Sequence, residues 1–226
     1  MAEDMLLFWA SGSPPCWRVM IALEEKNLQG YKNKHLSYEK NEHKNPDVLQ
    51  INPRGQIPTF KHGDVVVNES IAACLYLQNR FKSQGTQLMP DSESQQALVL
   101  QRMLEAEALQ KKIYDVLFYE YYVPEAERHE SARKRNRENL ANELKLWESY
   151  LQQMGKGSYL AGRSFSMADV VVFPYIAFFP RFGLRKERYP RLMEYYEMVK
   201  ERPSVKASWP PHWLENPQGQ ETLKDL

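Results

Sequence analysis

The segment Gly55-Gln56-Ile57-Pro58-Thr59-Phe60 constrains the fold of this chain more than any other. Proline lacks the N–H that a strand ladder uses, so it is kept out of ordinary strand interiors. Here it heads a short Ile/Phe strand, where a cis X-Pro bond leaves the backbone of Ile57 open to another partner. Glu69-Ser70 stands directly before Ile71-Ala72-Ala73-Cys74-Leu75-Tyr76-Leu77, an apolar run with helical spacing. A carboxylate, a hydroxyl and free amides therefore meet at a helix N-terminus, which favours anions. A small, zwitterionic, peptide-like ligand suits such a corner.

The 226 residues, 42% of them hydrophobic, suffice for one large core or two small ones. Thirty basic and 29 acidic side chains give a net charge of +1, which asks for neither nucleic acid nor an anionic membrane. No apolar run approaches the roughly 20 residues of a membrane helix. The start, Met1-Ala2-Glu3-Asp4, is acidic and lacks a signal pattern. Cys16 and Cys74 are too few for a disulfide framework, and the five histidines show no metal-ligand spacing. A soluble, cytoplasmic protein with free thiols and no metal is expected. Arg128, Arg133, Lys134, Arg135 and Arg137 cluster, but Glu125, Glu127, Glu130 and Glu138 interleave with them, as on a solvated helix face.

Along the chain, Met5-Leu6-Leu7-Phe8-Trp9 reads as a buried strand, broken at Ser11-Gly12-Ser13-Pro14-Pro15. Val19, Met20, Ala22 and Leu23 then follow helical spacing, and residues 31–38 suggest a strand with Leu36 and Tyr38 on one face. Asn45-Pro46-Asp47 turns into a short helix ending before Asn52-Pro53, and His62-Gly63-Asp64 separates two hairpin strands at 58–61 and 65–67. The first 82 residues thus read β-α-β-α-β-β-α. Residues 83–91 are a polar linker, and 92–226 are almost wholly helical in pattern. Leu140, Leu144, Trp147, Leu151 and Met154 trace one apolar stripe. Ser166-Met167-Ala168-Asp169 is a capping box opening an apolar helix. Pro190 and Pro203 start short helices, and the tail from Pro210 lies on the surface.

A small α/β domain with a Pro-initiated strand, joined to a helical domain, resembles the cytosolic glutathione S-transferases. Residues 52–60 look like that family's glutathione-cradling loop, whose proline is cis. Glu69-Ser70-Ile71-Ala72 looks like its γ-glutamyl-binding segment, and Ser166-Met167-Ala168-Asp169 like its core-helix capping box. Gly12-Ser13-Pro14-Pro15-Cys16-Trp17-Arg18 and Glu194-Tyr195-Tyr196-Glu197-Met198-Val199 look most like the rho class, best represented in fish and near the Ser-type theta, delta and zeta classes. The resemblance implies a thioredoxin-like N-terminal domain and an all-helical C-terminal domain. It implies a homodimer that conjugates glutathione, a co-substrate rather than a bound cofactor, to hydrophobic electrophiles in detoxification. The alpha, mu and pi classes place a Tyr on the first strand, where this chain has Leu7-Phe8-Trp9. The activating hydroxyl must come from the loop behind it, from Ser13 or Ser11.

A thiol with a reference pKa of about 8.5 needs roughly 3 kcal/mol of preferential anion stabilisation to fall by two units. Hydrogen bonding to the anion and a helix N-terminus are two sources. Ser13 stands before Pro14, which pushes it out of the α region as an N-cap requires and is itself favoured at the first helical position. A plain N-cap is the simpler role. Pro15 removes one of the usual donors, so Cys16 N–H is the expected capping partner, and capping leaves the hydroxyl proton available. The register of the resemblance favours Ser13 over Ser11. Cys16 is the rival nucleophile, in a thioltransferase reading, but it lies about a turn inside the helix, where a packed thiol is expected. Cys74 falls on an apolar face.

By the same resemblance, Glu69 pairs with the γ-glutamyl ammonium, and Ser70 with the first amides holds its carboxylate. Ile57, held by Gln56 and Pro58 on either side, pairs with the cysteinyl backbone as in strand addition. Lys44, Arg54 and Gln56 are candidates for the glycyl carboxylate. Tyr114, Phe118, Tyr121 and Tyr122, with Phe178, Phe179 and Trp209, are candidates for the hydrophobic substrate surface, although aromatics at helical spacing more often belong to a core. Thioltransferase or peroxidase chemistry, and a non-catalytic ligand-binding relative, are the alternatives.

Overall fold

The computed structural model describes residues 2–226, which form two compact units. The first comprises Met1–Met89 with Glu201–Pro217, the second Pro90–Lys200 with Gln218–Leu226. The expected helical domain over 92–226 differs from this division in one respect: Glu201–Pro217 packs with the first unit.

In the first unit, β1 (Met5–Trp9), α1 (Pro14–Glu25), β2 (Lys32–His35), α2 (Pro46–Leu49), β3 (Thr59–His62), β4 (Val65–Val67) and α3 (Ser70–Arg80) give the predicted β-α-β-α-β-β-α order. The sheet order is β2-β1-β3-β4, with β1 parallel to β2 and the other pairs antiparallel. Proline 58 lies just before β3 rather than within it, consistent with its missing donor. The second strand is shorter than residues 31–38 suggest. Its four residues are polar and exposed, as suits an edge strand; Leu36 is buried but Tyr38 is exposed. Phe8, Ala10, Cys16, Leu36, Val48 and Ile57 form a core cluster below the loops at one end of the sheet.

That end matters because of the strand directions. Trp9 is opposite His35, Phe8 opposite Thr59, and Phe60 opposite Val67. The exits of β1, β2 and β4 and the entrance of β3 therefore lie side by side. Residues 10–13, residues 55–58 and the start of α3 are brought to one edge.

The first unit is completed by α10 (Pro203–Ala207) and α11 (Pro211–Glu215). Glu25 accepts from Arg202 Nε at 2.5 Å and Nη2 at 2.8 Å, and also from the Ser204 hydroxyl. Trp17 on α1 donates from Nε1 to Ser208 Oγ at 3.0 Å and meets Trp209 and Trp213 edge-on, with centroids 5.1 and 5.7 Å away.

The second unit contains α4 (Glu93–Leu117), α5 (Tyr119–Tyr122), α6 (Glu130–Met154), α7 (Met167–Ile176), α8 (Phe178–Arg181) and α9 (Pro190–Lys200). All ten residues of α7 are buried, as a helix apolar all round requires. The predicted capping box is present, and the Asp169 carboxylate also accepts from Leu160 N at 3.0 Å and Tyr195 OH at 3.0 Å. On α6 the predicted stripe faces inward: Leu140, Leu144, Trp147 and Leu151 are buried and Met154 half-buried. The tail beyond Gln218 is hydrogen-bonded to the end of α8, Gln220 N to Arg181 O at 3.0 Å and Leu223 N to Phe182 O at 2.8 Å.

Candidate active site

Ser13 is the N-cap of α1, with extended φ of −79° and ψ of 112°. Pro14 and Pro15 occupy the first two helical positions, and Cys16 N–H is the capping donor, at 3.5 Å from Ser13 Oγ. That bond is long. The hydroxyl holds this one weak backbone donor and also lies beside the Cys16 thiol, at the positive end of α1.

Ser11 is placed differently. Its backbone N–H donates to His35 Nε2 at 3.2 Å, and its Oγ is 2.6 Å from His212 Nδ1 while accepting from His212 N at 3.4 Å. Gly12 between the serines has φ of +76°, and a Cβ there would stand 2.4 Å from His212 Cε1. Only glycine suits this position. Neither histidine was singled out in the sequence: His35 ends an edge strand and His212 lies 201 positions from Ser11.

Cys16 is fully buried, and burial pushes its thiol up to about 12, with Ser13 and the Ala10 backbone offsetting only part of this. Cys74 is likewise buried and raised to about 12 by burial, with Arg18 opposing. Neither is a thiolate near neutrality, so the rival nucleophile loses its physical basis. Among the described residues no group of His, Cys, Asp and Glu is placed to hold a metal ion.

The second loop is tied from within. The Ile57-Pro58 bond is cis, as expected from the sequence. Asn52, almost wholly buried, donates from Nδ2 to Gln56 O at 2.8 Å and Thr59 Oγ1 at 3.2 Å, and accepts from Arg54 N at 3.2 Å. Ile57 precedes the first ladder residue, with its side chain in the core cluster. Gly55 has φ of +55°, and a Cβ there would meet Lys44 Cδ at 2.8 Å. The Lys44 ammonium donates to Arg54 O at 3.0 Å, which places a cation over this loop; Arg54 and Gln56 are exposed.

Glu69 is the N-cap residue of α3 and is exposed, with no side-chain capping bond. Its carboxylate is thus not used as a cap. Ser70 is buried, and its Oγ accepts from Arg18 Nη1 at 3.1 Å. Arg18, itself buried on α1, was not anticipated; an Arg inside an apolar helical face was the available signal.

The predicted aromatic surface is only partly assembled. Tyr114, Phe118, Tyr122 and Tyr121 form a ladder along α4 and α5, with successive centroids 5.1, 6.5 and 5.0 Å apart. Tyr121 and Tyr122 are exposed. Phe179 is 0% exposed and Phe178 is buried, so both are core residues and not lining. Trp209 belongs to the Trp17–Trp213 cluster of the first unit.

Comparison with known proteins agrees with this geometry. Residues 12–80 match the family described as glutathione S-transferase, N-terminal domain, and residues 108–209 match glutathione S-transferase, C-terminal domain. The chain is 63% identical over 226 residues to glutathione S-transferase A of Pleuronectes platessa, covering 100% of both chains. It resembles the crystal structure of a glutathione S-transferase from the Antarctic clam Laternula elliptica, with TM-score 0.88 and 37% identity over 98% of this chain and 99% of that one. A glutathione transferase from Phanerochaete chrysosporium, solved with oxidized glutathione, superposes with TM-score 0.79 at 26% identity, over 92% and 95% of the two chains. By fold, by sequence and by the grouping of its loops, this chain belongs to the glutathione S-transferase family, as an enzyme with a thioredoxin-like N-terminal domain and a helical C-terminal domain.

Proposed function

We infer that this transferase activates glutathione with the Ser13 hydroxyl and conjugates it to hydrophobic electrophiles, as a rho-class enzyme of detoxification. The observation that carries the reading is the contrast between the two serines. Ser13 Oγ stands at a helix N-terminus with a long capping bond and the buried Cys16 thiol beside it, whereas Ser11 Oγ is engaged by the ring and the backbone of His212. A donor at Ser13 stabilises the anion and not the thiol, which is the condition for lowering a pKa. The thiolate sulfur then attacks carbon, for instance of a chlorodinitrobenzene. A C–S bond forms, chloride leaves with the C–Cl electrons, and the thiol proton has already passed to solvent.

The peptide is held along the loop edge. Glu69, exposed and unused as a cap, takes the γ-glutamyl ammonium, and Ser70 with the first amides of α3 takes its carboxylate. Ile57 supplies backbone pairing for the cysteinyl unit, flanked by Gln56 and the cis Pro58, and Lys44 with Arg54 faces the glycyl carboxylate. That a fungal relative of this fold was solved in complex with oxidized glutathione supports a glutathione cradle here. Tyr114, Phe118, Tyr121 and Tyr122 offer the aromatic surface for the electrophile. A homodimer in the cytoplasm completes the reading. Leu100 and Leu104 of α4 and Val65 and Val66 of β4 are exposed apolar groups suited to a second subunit, and among the described residues no helix is long and apolar enough to cross a membrane.

The test is Ser13→Ala, reading the ultraviolet thiolate band of bound glutathione against pH. The expected result is a thiol pKa shifted toward its free value of about 8.5. An unchanged pKa refutes Ser13 as the activating group.

A further inference from the structure

The loop that presents Ser13 is gripped by a segment from the far end of the chain. His212 Nδ1 lies 2.6 Å from Ser11 Oγ, and His212 N–H donates to the same oxygen at 3.4 Å. A hydroxyl has one proton to give. It also has two acceptor sites, so Ser11 Oγ is held by the ring and the backbone of His212 together, whichever tautomer the ring carries. The ring also lies against the Gly12 backbone, where even a Cβ would not fit, and Gly12 is covalently joined to Ser13.

The segment is itself held firmly on α1. Trp213 is buried against Trp17 and Trp209, Trp17 donates to Ser208, and Arg202 forms two charge-assisted bonds to the buried Glu25. Trp17 N–H also donates to Ser13 O at 2.9 Å, so the same segment steadies the first turn that Ser13 caps. On the other side, His35 Nε2 accepts from Ser11 N.

From this geometry we propose that His212 is a positioning residue for the activating hydroxyl: it fixes Ser11 and Gly12, and so the aim of Ser13. It rests on Ser13 as the activating group. A displacement of about 1 Å at a reacting centre costs up to two orders of magnitude in rate, so the anchoring of one loop residue registers in turnover.

The experiment compares His212→Ala, His212→Asn, Ser11→Ala and Ser13→Ala in the full-length protein, with glutathione and a chlorodinitrobenzene. The readouts are kcat, KM for glutathione and the thiolate band. His212→Ala and Ser11→Ala are each expected to lower kcat about tenfold and to raise the bound-thiol pKa by about one unit, a tenfold change in its acid constant. KM for glutathione stays within about threefold, since the peptide-holding edge is untouched. A variant combining His212→Ala with Ser11→Ala falls no further than either single one. His212→Asn recovers most of the loss, because its carboxamide can pair with the Ser11 hydroxyl in either direction. Ser11→Ala removes the bond without removing the ring, which guards against a folding defect in His212→Ala. Unchanged kcat and pKa in Ser11→Ala, or a bound-thiol pKa that falls when His212 is removed, overturns the proposal. If Ser13→Ala shifts the pKa and the His212 and Ser11 variants do not, only the positioning role fails. If Ser11→Ala shifts it and Ser13→Ala does not, the assignment of Ser13 fails as well.

Discussion

The loop proposed to hold the peptide and the loop proposed to activate its thiol lie at one edge of one sheet, yet they are secured in opposite ways. Residues 52–59 tie to one another: Asn52 reaches Gln56 and Thr59, and Thr59 Oγ1 donates back to Gln56 O at 3.0 Å. The Ser11-Gly12-Ser13 loop instead leans on His35, 24 positions away, and on His212, 201 positions away. A binding surface built from neighbouring residues can form as soon as its strand forms. An activating group held by remote chain reaches its geometry only when the whole unit is closed.

The largest expected effect separates the two halves directly. Ser13→Ala should lower kcat by about 10²- to 10³-fold, the usual loss for one preorganised donor to a reacting anion, with KM for glutathione little changed. A loss confined to KM would erase the distinction. Ser70→Ala should do the reverse. It removes a hydroxyl that accepts from a buried guanidinium and is proposed to meet the ligand carboxylate, so KM for glutathione should rise about tenfold, or about 1.4 kcal/mol, with kcat nearly preserved. Steady-state kinetics on both variants decides the matter.

Acid should loosen the activating half first. Burial alone would raise the Glu25 pKa, but hydrogen bonds from Arg202 and Ser204 hold it below its ordinary value. A carboxyl lowered on folding stabilises the folded state above its unfolded pKa of about 4.3, and that stability is lost as pH falls through the folded value. Thermal melts below pH 5 should show this loss in the wild type, and Glu25→Gln should be less stable at neutral pH with a flatter acid dependence. The smallest effect is expected at Cys16. Its buried, high-pKa thiol should resist alkylation in the folded enzyme, and Cys16→Ala should leave kcat within about twofold while costing about 1 kcal/mol of stability for the lost packing.

Much of the fold was legible because its signals are local. The Ser13 cap with its Cys16 donor, the proline before β3, the hairpin at Gly63 and the Ser166 capping box are each decided within four or five residues. The supports were not legible. Asn52 looks like any residue before a proline, and nothing near His212 or Arg202 indicates that they return to α1. The aromatic assignments show a second limit. Helical spacing identifies a face without saying what covers it. Phe179 was read as lining and lies in the core beside a helix buried on every side, whereas Tyr121, of the same pattern, is 79% exposed.

The discontinuous first unit has a consequence for how the enzyme is made. Its sheet is encoded before residue 68, but the partners of Trp17 and Glu25 are encoded after residue 201. During synthesis at roughly 5–20 residues per second, the strands can pair several seconds before Arg202, His212 and Trp213 leave the ribosome. For that interval α1 carries an uncovered tryptophan and an unpaired buried carboxylate. A nascent chain stalled short of residue 200 would therefore carry the proposed peptide cradle before the supports of its activating loop, and should turn glutathione over more slowly than the finished enzyme.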